Sequence, residues 1–213
     1  MTNFITSLSP TQSSVVRLVN FYGQATASQI RRALYLGTPR GTAVRAPRHL
    51  KALSERGHIA RLPFKLSWYQ WGSGEFVYGP ADTKARLPNL HTLDITELAC
   101  QLREVAPAGT EFCPEPWCHD TWGGVALKPD AYVKLVKRHF ALELDRGTEF
   151  ASALSAQMNA YQRAYYGMDG GSFPKVIFVC RTKERRKFIQ REIGKKPYTH
   201  YSTLYFSPTL LER

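Results

Sequence analysis

The sequence predicts an α+β protein of two domains, residues 1–82 and 83–213. The first is mainly helical and closed by a β-ribbon; the second alternates strands and helices. Three observations carry this. Apolar residues recur at helical spacing three times before Gly57 and then give way to short strand-like runs separated by glycine. Beyond a linker-like stretch at 84–89, strand-like and amphipathic runs take turns. The 213 residues, 43% apolar and 12% aromatic, can fill a core in each domain and are too apolar for a disordered chain.

The first helix opens at Ser9-Pro10, a capping residue followed by the residue best suited to the first helical position. Val15, Val16, Leu18, Val19 and Tyr22 make one face of it, and Gly23 stops it. Thr26 caps a second helix carrying Ile30, Ala33, Leu34 and Leu36, broken by Gly37-Thr38-Pro39. A third carries Leu50, Leu53 and Ile59 inward and ends at Arg56-Gly57. Pro47 falls within it, and proline in a helix interior removes a hydrogen bond and crowds the preceding turn. Either this helix starts at Pro47, leaving 40–45 as a basic loop, or it starts near Thr42 with a kink. Strand-like runs follow at 58–62, 68–71 and 75–78, the last two joined by Gly72-Ser73-Gly74. Three helices and a two-stranded ribbon make the winged form of the helix-turn-helix.

Charge points to a partner. Lys and Arg number 29 against 17 Asp and Glu, a net charge of +12. Such an excess favours a polyanion. Residues 1–82 hold ten basic and three acidic side chains. In a winged helix the third helix enters the major groove of double-stranded DNA. Its exposed side is expected to carry Arg40, Thr42, Arg45, Arg48, His49 and Lys51, with Lys65 and Ser73 of the ribbon along the adjacent backbone. The competing reading is a winged helix that binds protein. A second basic stretch, 181–196, sets eight basic residues against Glu184 and Glu192 and either adds DNA contacts or forms a solvated helix face. No apolar run approaches the ~20 residues of a membrane span. The opening residues lack the basic and apolar regions of a signal peptide. Cys100, Cys113, Cys118 and Cys180 are too few for a disulfide framework. The expectation is a cytoplasmic protein with reduced thiols.

In the second domain, a helix is predicted over 90–105, with Leu93, Leu98 and Leu102 on its apolar side. Strands are predicted at 110–113, 131–136 and 140–145, the last two joined by a turn at Lys137-Arg138-His139. A helix over 149–165, a strand at 175–180, a basic helix over 182–193 and a strand at 199–206 complete an αβββαβαβ order. Asp130 stands at the mouth of one strand. Glu143 and Asp145, two apart on the next, share a face, while Phe140, Leu142 and Leu144 are expected to enter the core from the other. Clustered carboxylates repel unless a positive group lies between them. Mg²⁺ or Mn²⁺ suits such oxygens and would activate water against a phosphodiester. Glu97 is expected to approach the same place. The order and acids resemble the PD-(D/E)xK (restriction-endonuclease-like) fold, Pro129-Asp130 standing for PD and Glu143-Leu144-Asp145 where the family has (D/E)xK. Asp145 then replaces the family's lysine, for which Lys134 is the stand-in. The structural alternative pairs these carboxylates with Arg146 or Arg138.

A further resemblance spans nearly the whole chain. Ser9-Pro10-Thr11-Gln12, the run from Thr26 to Ile30, the run from His49 to Leu53 ahead of Gly57, Gly72-Ser73-Gly74 with Val77-Tyr78, and His91-Thr92-Leu93 are similar to the replication-relaxation family. So is Pro129-Asp130 followed by the run from Ala141 to Glu149. That resemblance implies a winged helix joined to a nuclease-like domain, found on plasmids and other mobile elements and linked to their replication and relaxation. Three functions compete: a non-catalytic DNA-binding factor working with replication or transfer proteins at an origin, a metal-dependent endonuclease or nickase, and a transcriptional regulator whose second domain dimerises. A homo-oligomer fits each.

Other signals are weaker. Cys113, Cys118 and His119 fall short of a zinc set, for which buried thiols are the preferred reading. Tyr161, Tyr165 and Tyr166 read as core. Tyr198, Tyr201 and Tyr205 either stack on bases or pack within a strand.

Overall fold

The structure, a computed structural model, describes residues 8–35, 39–66, 74–147, 149–168, 173–197 and 201–206, with all their side chains except those of 39–43, 64 and 65. It divides into two compact units, Met1–Glu104 and Val105–Arg213.

In the first unit, α1 (Pro10–Tyr22) and α2 (Ala27–Leu34) begin as the sequence suggests. The Ser9 hydroxyl accepts from the Gln12 amide and the Gln12 side chain accepts from the Ser9 amide. Thr26 and Gln29 repeat this exchange. Each exchange satisfies two amides that a helix start leaves without partners. Gly23, at φ 78°, ends α1 in a conformation that other residues rarely take. The helix α3 (Pro39–Glu55) differs from both expectations: it starts at Pro39 and runs through Pro47. Pro39 suits a first position, so 40–45 are helical. The hydrogen bond lost at Pro47 is offset by burial of Ala46, Leu50 and Leu53 on the inner face.

A three-stranded antiparallel sheet completes this layer: β1 (Ala25–Thr26), β2 (Ile59–Leu66) and β3 (Glu75–Pro80), with β3 central. The two-residue β1 has no sequence signal. The strand opposite β3 is β2, with Ile59 facing Pro80 and Leu66 facing Glu75. The expected pairing of 68–71 with 75–78 involves 68–71, which lie outside the described residues. The register shifts between Arg61 and Lys65, around Pro63, which has no amide to give the ladder. Val15, Val19, Ile30, Leu50, Leu53 and Ile59 form the core. The helix α4 (Leu90–Val105), expected to open the second domain, packs here: Leu93 joins Leu62, Leu66 and Val77, and Cys100 joins the main core. The first unit thus ends at Glu104, one residue short of the end of α4, whereas the expected boundary is 82/83.

The second unit is a five-stranded sheet with helices. Its strands are β4 (Glu111–Pro114), β7 (Ala131–Leu135), β8 (Arg138–Asp145), β9 (Lys175–Cys180) and β10 (Tyr201–Tyr205), in the order β10-β9-β8-β7-β4. The first three form an antiparallel meander; β9 and β10 run parallel to β8. Parallel neighbours need crossovers, and α5 (Ala151–Tyr166) and α6 (Lys183–Gly194) provide them. A separate hairpin, β5 (Asp120–Trp122) and β6 (Val125–Leu127), was not foreseen because each strand has only three residues. Its Gly123 meets Gly167 at the end of α5 backbone to backbone, and a Cβ on either would strike the other. The turn between β7 and β8 falls at Val136-Lys137, one residue earlier than predicted, with Val136 at φ 55°.

The core of this unit joins Ala141, Val176 and Phe178 of the sheet to Leu154, Met158 and Tyr161 of α5 and Ile189 of α6. By alternation Ala141 shares its face with Glu143 and Asp145. The expected assignment, core on the leucine face alone, is corrected: residues 141–145 are all buried, as in a central strand covered on both sides.

Candidate nucleic-acid interface and carboxylate site

The surface of α3 presents Arg45, Arg48 and Lys51, all exposed and three residues apart, hence on one stripe. Among the described residues Arg45 and Arg48 make no ion pair, and Lys51 approaches Glu55 at 3.8 Å. His49 is drawn elsewhere: it is half-buried, and its Nδ1 lies 2.9 Å from the Tyr35 hydroxyl. The side chains of Arg40, Thr42 and Lys65, and the whole of Ser73, lie outside the described residues.

Arg32 is taken up internally. It contacts Glu97 at 2.6 and 2.8 Å and Glu104 at 2.7 and 3.1 Å, so that α2 and α4 are clamped by charge. Burial works against its charge, but the two carboxylates outweigh this and raise the guanidinium above its ordinary range. Gln29 adds a bond to Glu97 at 3.3 Å. Glu97 therefore belongs to the first unit's interior, which replaces its expected approach to the acids of the second. Glu75 accepts from both the amide and the hydroxyl of Ser28 at the start of α2.

In the second unit, strand register puts the carboxylates together in part. Ala131 faces Leu142, so Asp130 stands opposite Glu143. Asp130 Oδ2 accepts from the Leu144 amide at 2.6 Å. Glu143 is only 5% exposed, and the Tyr161 hydroxyl and the Gln157 side chain hydrogen-bond to it. Burial, then the charge of Asp130 and that of Glu149, push the Glu143 carboxyl well above its usual range. Burial and the Glu143 charge likewise raise the Tyr161 phenol. Asp145, 4% exposed, has a different partner. Arg185 Nε lies 2.9 Å from each of its oxygens and Nη2 lies 2.8 Å from one. The Gly147 amide adds a bond of 2.5 Å. The same Arg185 donates to the Glu149 carbonyl at 2.7 Å and lies over the Phe188 ring.

Lys134 does not join this group. Its Nζ lies 2.8 Å from Glu111 on β4. It lies four residue steps along the chain from Asp130, about 13 Å of strand rise. The side-chain oxygens of Asp130, Glu143 and Asp145 do not gather into one set within 4.8 Å of one another. The predicted Mg²⁺ or Mn²⁺ triad therefore does not fit these residues: the third carboxylate is already neutralised by a guanidinium, which would itself repel a cation. Sequence reading missed Gln157, Tyr161 and Arg185 as site residues. Gln157 and Tyr161 sit four apart on one face of α5, a spacing that could have singled them out.

Cys100, Cys118 and Cys180 are buried, and Cys113 is half-buried. Cys118 donates to the Pro129 carbonyl at 3.0 Å, and burial pushes its thiol up to about 12. Cys113, Cys118 and His119 form no metal-binding group.

Glu143 makes a stability prediction. An unfolded chain releases this proton near the ordinary value of 4.5, whereas the folded unit keeps it. Stability therefore falls as pH rises above that value and continues to fall until the folded carboxyl itself ionises, at about 1.4 kcal/mol per pH unit. Glu143→Gln keeps the acceptor for Tyr161 and removes the titration. Its thermal midpoint is expected to exceed that of the parent at pH 7–8 and to match it at pH 4. A constant difference between the two across pH 4–8 would refute the buried-acid reading.

Fold and site together define a two-unit α+β protein with an exposed basic helix and a buried, partly neutralised carboxylate site. Residues 80–176 match the model of the replication-relaxation family. The matched segment runs from the end of β3 to the start of β9 and contains Asp130, Glu143, Asp145, Gln157 and Tyr161; α3 precedes it. No protein of curated function matches the chain.

Proposed function

We propose that this chain is a double-stranded DNA-binding factor of a plasmid or other mobile element, acting at an origin in replication, relaxation or mobilisation. On this reading the first unit is a winged helix-turn-helix: α2 and α3 are the motif, β2 and β3 the wing, and α3 is the helix for the major groove. The observation that carries it is the stripe of Arg45, Arg48 and Lys51, for which Glu55 is the one ion-pair partner among the described residues. The replication-relaxation match over 80–176 supports the setting. Origin-associated work is cytoplasmic, and among the described residues no helix is long and apolar enough to cross a membrane.

The second unit, in this proposal, has the PD-(D/E)xK chain order without a working cutting set, so the factor is accessory rather than catalytic. Arg185 on Asp145 and Glu111 on Lys134 support that reading. The test combines two measurements on the full chain. Titration of origin-derived duplex should show affinity that falls steeply with salt, because each neutralised phosphate releases counterions. Incubation with supercoiled plasmid and Mg²⁺ or Mn²⁺ should yield no nicks. Nicking that disappears in Glu143→Ala would replace the accessory reading with an endonuclease.

A further inference from the structure

Seven of the eight basic residues of 181–196, all but Arg181, divide by what they touch. Arg185 holds Asp145 and Glu149. Arg186 donates to the Thr203 hydroxyl at 3.2 Å. Lys196 reaches Ser155 and Asn159 on α5 at 2.9 and 2.8 Å, and Lys195 pairs with Glu192 at 2.6 Å. Half of the stretch thus fastens α6 to its own unit or pairs along the helix. Lys183, Lys187 and Arg191 are different. All three are exposed, and among the described residues none makes an ion pair. Their spacing of four places them along one side of α6. From Lys183 to Arg191 the axis rises about 12 Å. One strand of duplex DNA carries a charge about every 3.4 Å of its axis, so this length covers three to four phosphates. The surface beside them is a shallow groove lined by Glu184, Lys187, Gln190 and Arg191.

We infer that Lys183, Lys187 and Arg191 form a second duplex-contacting ridge, on the α/β unit, that follows the phosphate backbone without reading sequence. It rests on the proposal that the chain binds DNA, but not on α3 being the reading helix. Glu184, the one acid in the groove, keeps the contact a weak backbone contact. The ridge thereby gives each chain two DNA surfaces, one on each unit. The selectivity comes from α3 and the residence on flanking duplex from α6.

The test uses the full chain and four proteins: the parent, K183Q/K187Q/R191Q, R45Q/R48Q and the quintuple variant. Each is titrated against an origin duplex and a scrambled duplex over a range of salt. Neutralising the ridge should lower the slope of log affinity against log salt by about 2–3 on both duplexes, since each lost phosphate contact removes about 0.9. It should leave the ratio between the two duplexes, and the thermal midpoint, unchanged. R45Q/R48Q should reduce that ratio while retaining salt-sensitive binding that vanishes in the quintuple variant. An unchanged slope in the ridge variant, with R45Q/R48Q still weakened, overturns the ridge and leaves the α3 reading standing. A lowered slope in the ridge variant, with R45Q/R48Q unaffected, sustains the ridge and overturns α3. Absence of salt-dependent binding by the parent overturns both.

Discussion

Arg185→Met should destabilise the second unit by about 3–5 kcal/mol, the largest effect on folding expected for a single substitution here. Asp145 is 4% exposed, and its two oxygens face a guanidinium that is itself largely buried. Methionine would fill similar space but leave the carboxylate with the Gly147 amide as its remaining bond. An uncompensated buried charge is far more costly than the pair was favourable, because the desolvation remains when the attraction is gone. Chemical denaturation at neutral pH measures the loss. Restoring neutrality in the double variant D145N/R185M should recover most of it, giving a coupling well above 1 kcal/mol in the double-mutant cycle. A loss below about 1 kcal/mol would mean that water or another cation takes the place of Arg185, and that Asp145 is available to a metal after all. The folding measurement therefore bears on the catalytic question.

The second large effect concerns DNA. Arg45→Ala with Arg48→Ala should weaken binding to the origin duplex by on the order of 2–5 kcal/mol if both side chains contact it. The two are exposed on one stripe, and neither supports the core, so folding should be unaffected. The manner of loss distinguishes their targets. Phosphate contacts would weaken all sequences alike and lower the salt slope by nearly one for each arginine. Guanine contacts would mostly abolish the preference for one sequence. Equal affinity of parent and variant on every duplex would remove α3 from the interface.

Parts of this molecule were legible along the chain because they depend on near neighbours. The caps at Ser9 and Thr26 appear where predicted, and each bonds to a residue only three positions away. The interior strand at 175–180 is continuous in sequence and appears with the predicted limits. The path of α3 was misjudged because the cost of Pro47 is local, whereas the burial of Ala46, Leu50 and Leu53 that offsets it comes from packing against other elements. His49 was read as a groove residue because nothing nearby in sequence announces the Tyr35 hydroxyl. The hairpin at 120–127 escaped notice since strands of three residues have almost no periodicity to detect.

By itself the sequence determined the starts of α1 and α2, the α+β class and the positive excess of the chain, all set by composition or short-range geometry. Only the tertiary structure decided which charges remain available. Arg32 meets Glu97 across 65 positions and Arg185 meets Asp145 across 40. Electrostatic attraction depends on distance in space and on the loss of water around the pair, neither of which is written in linear order.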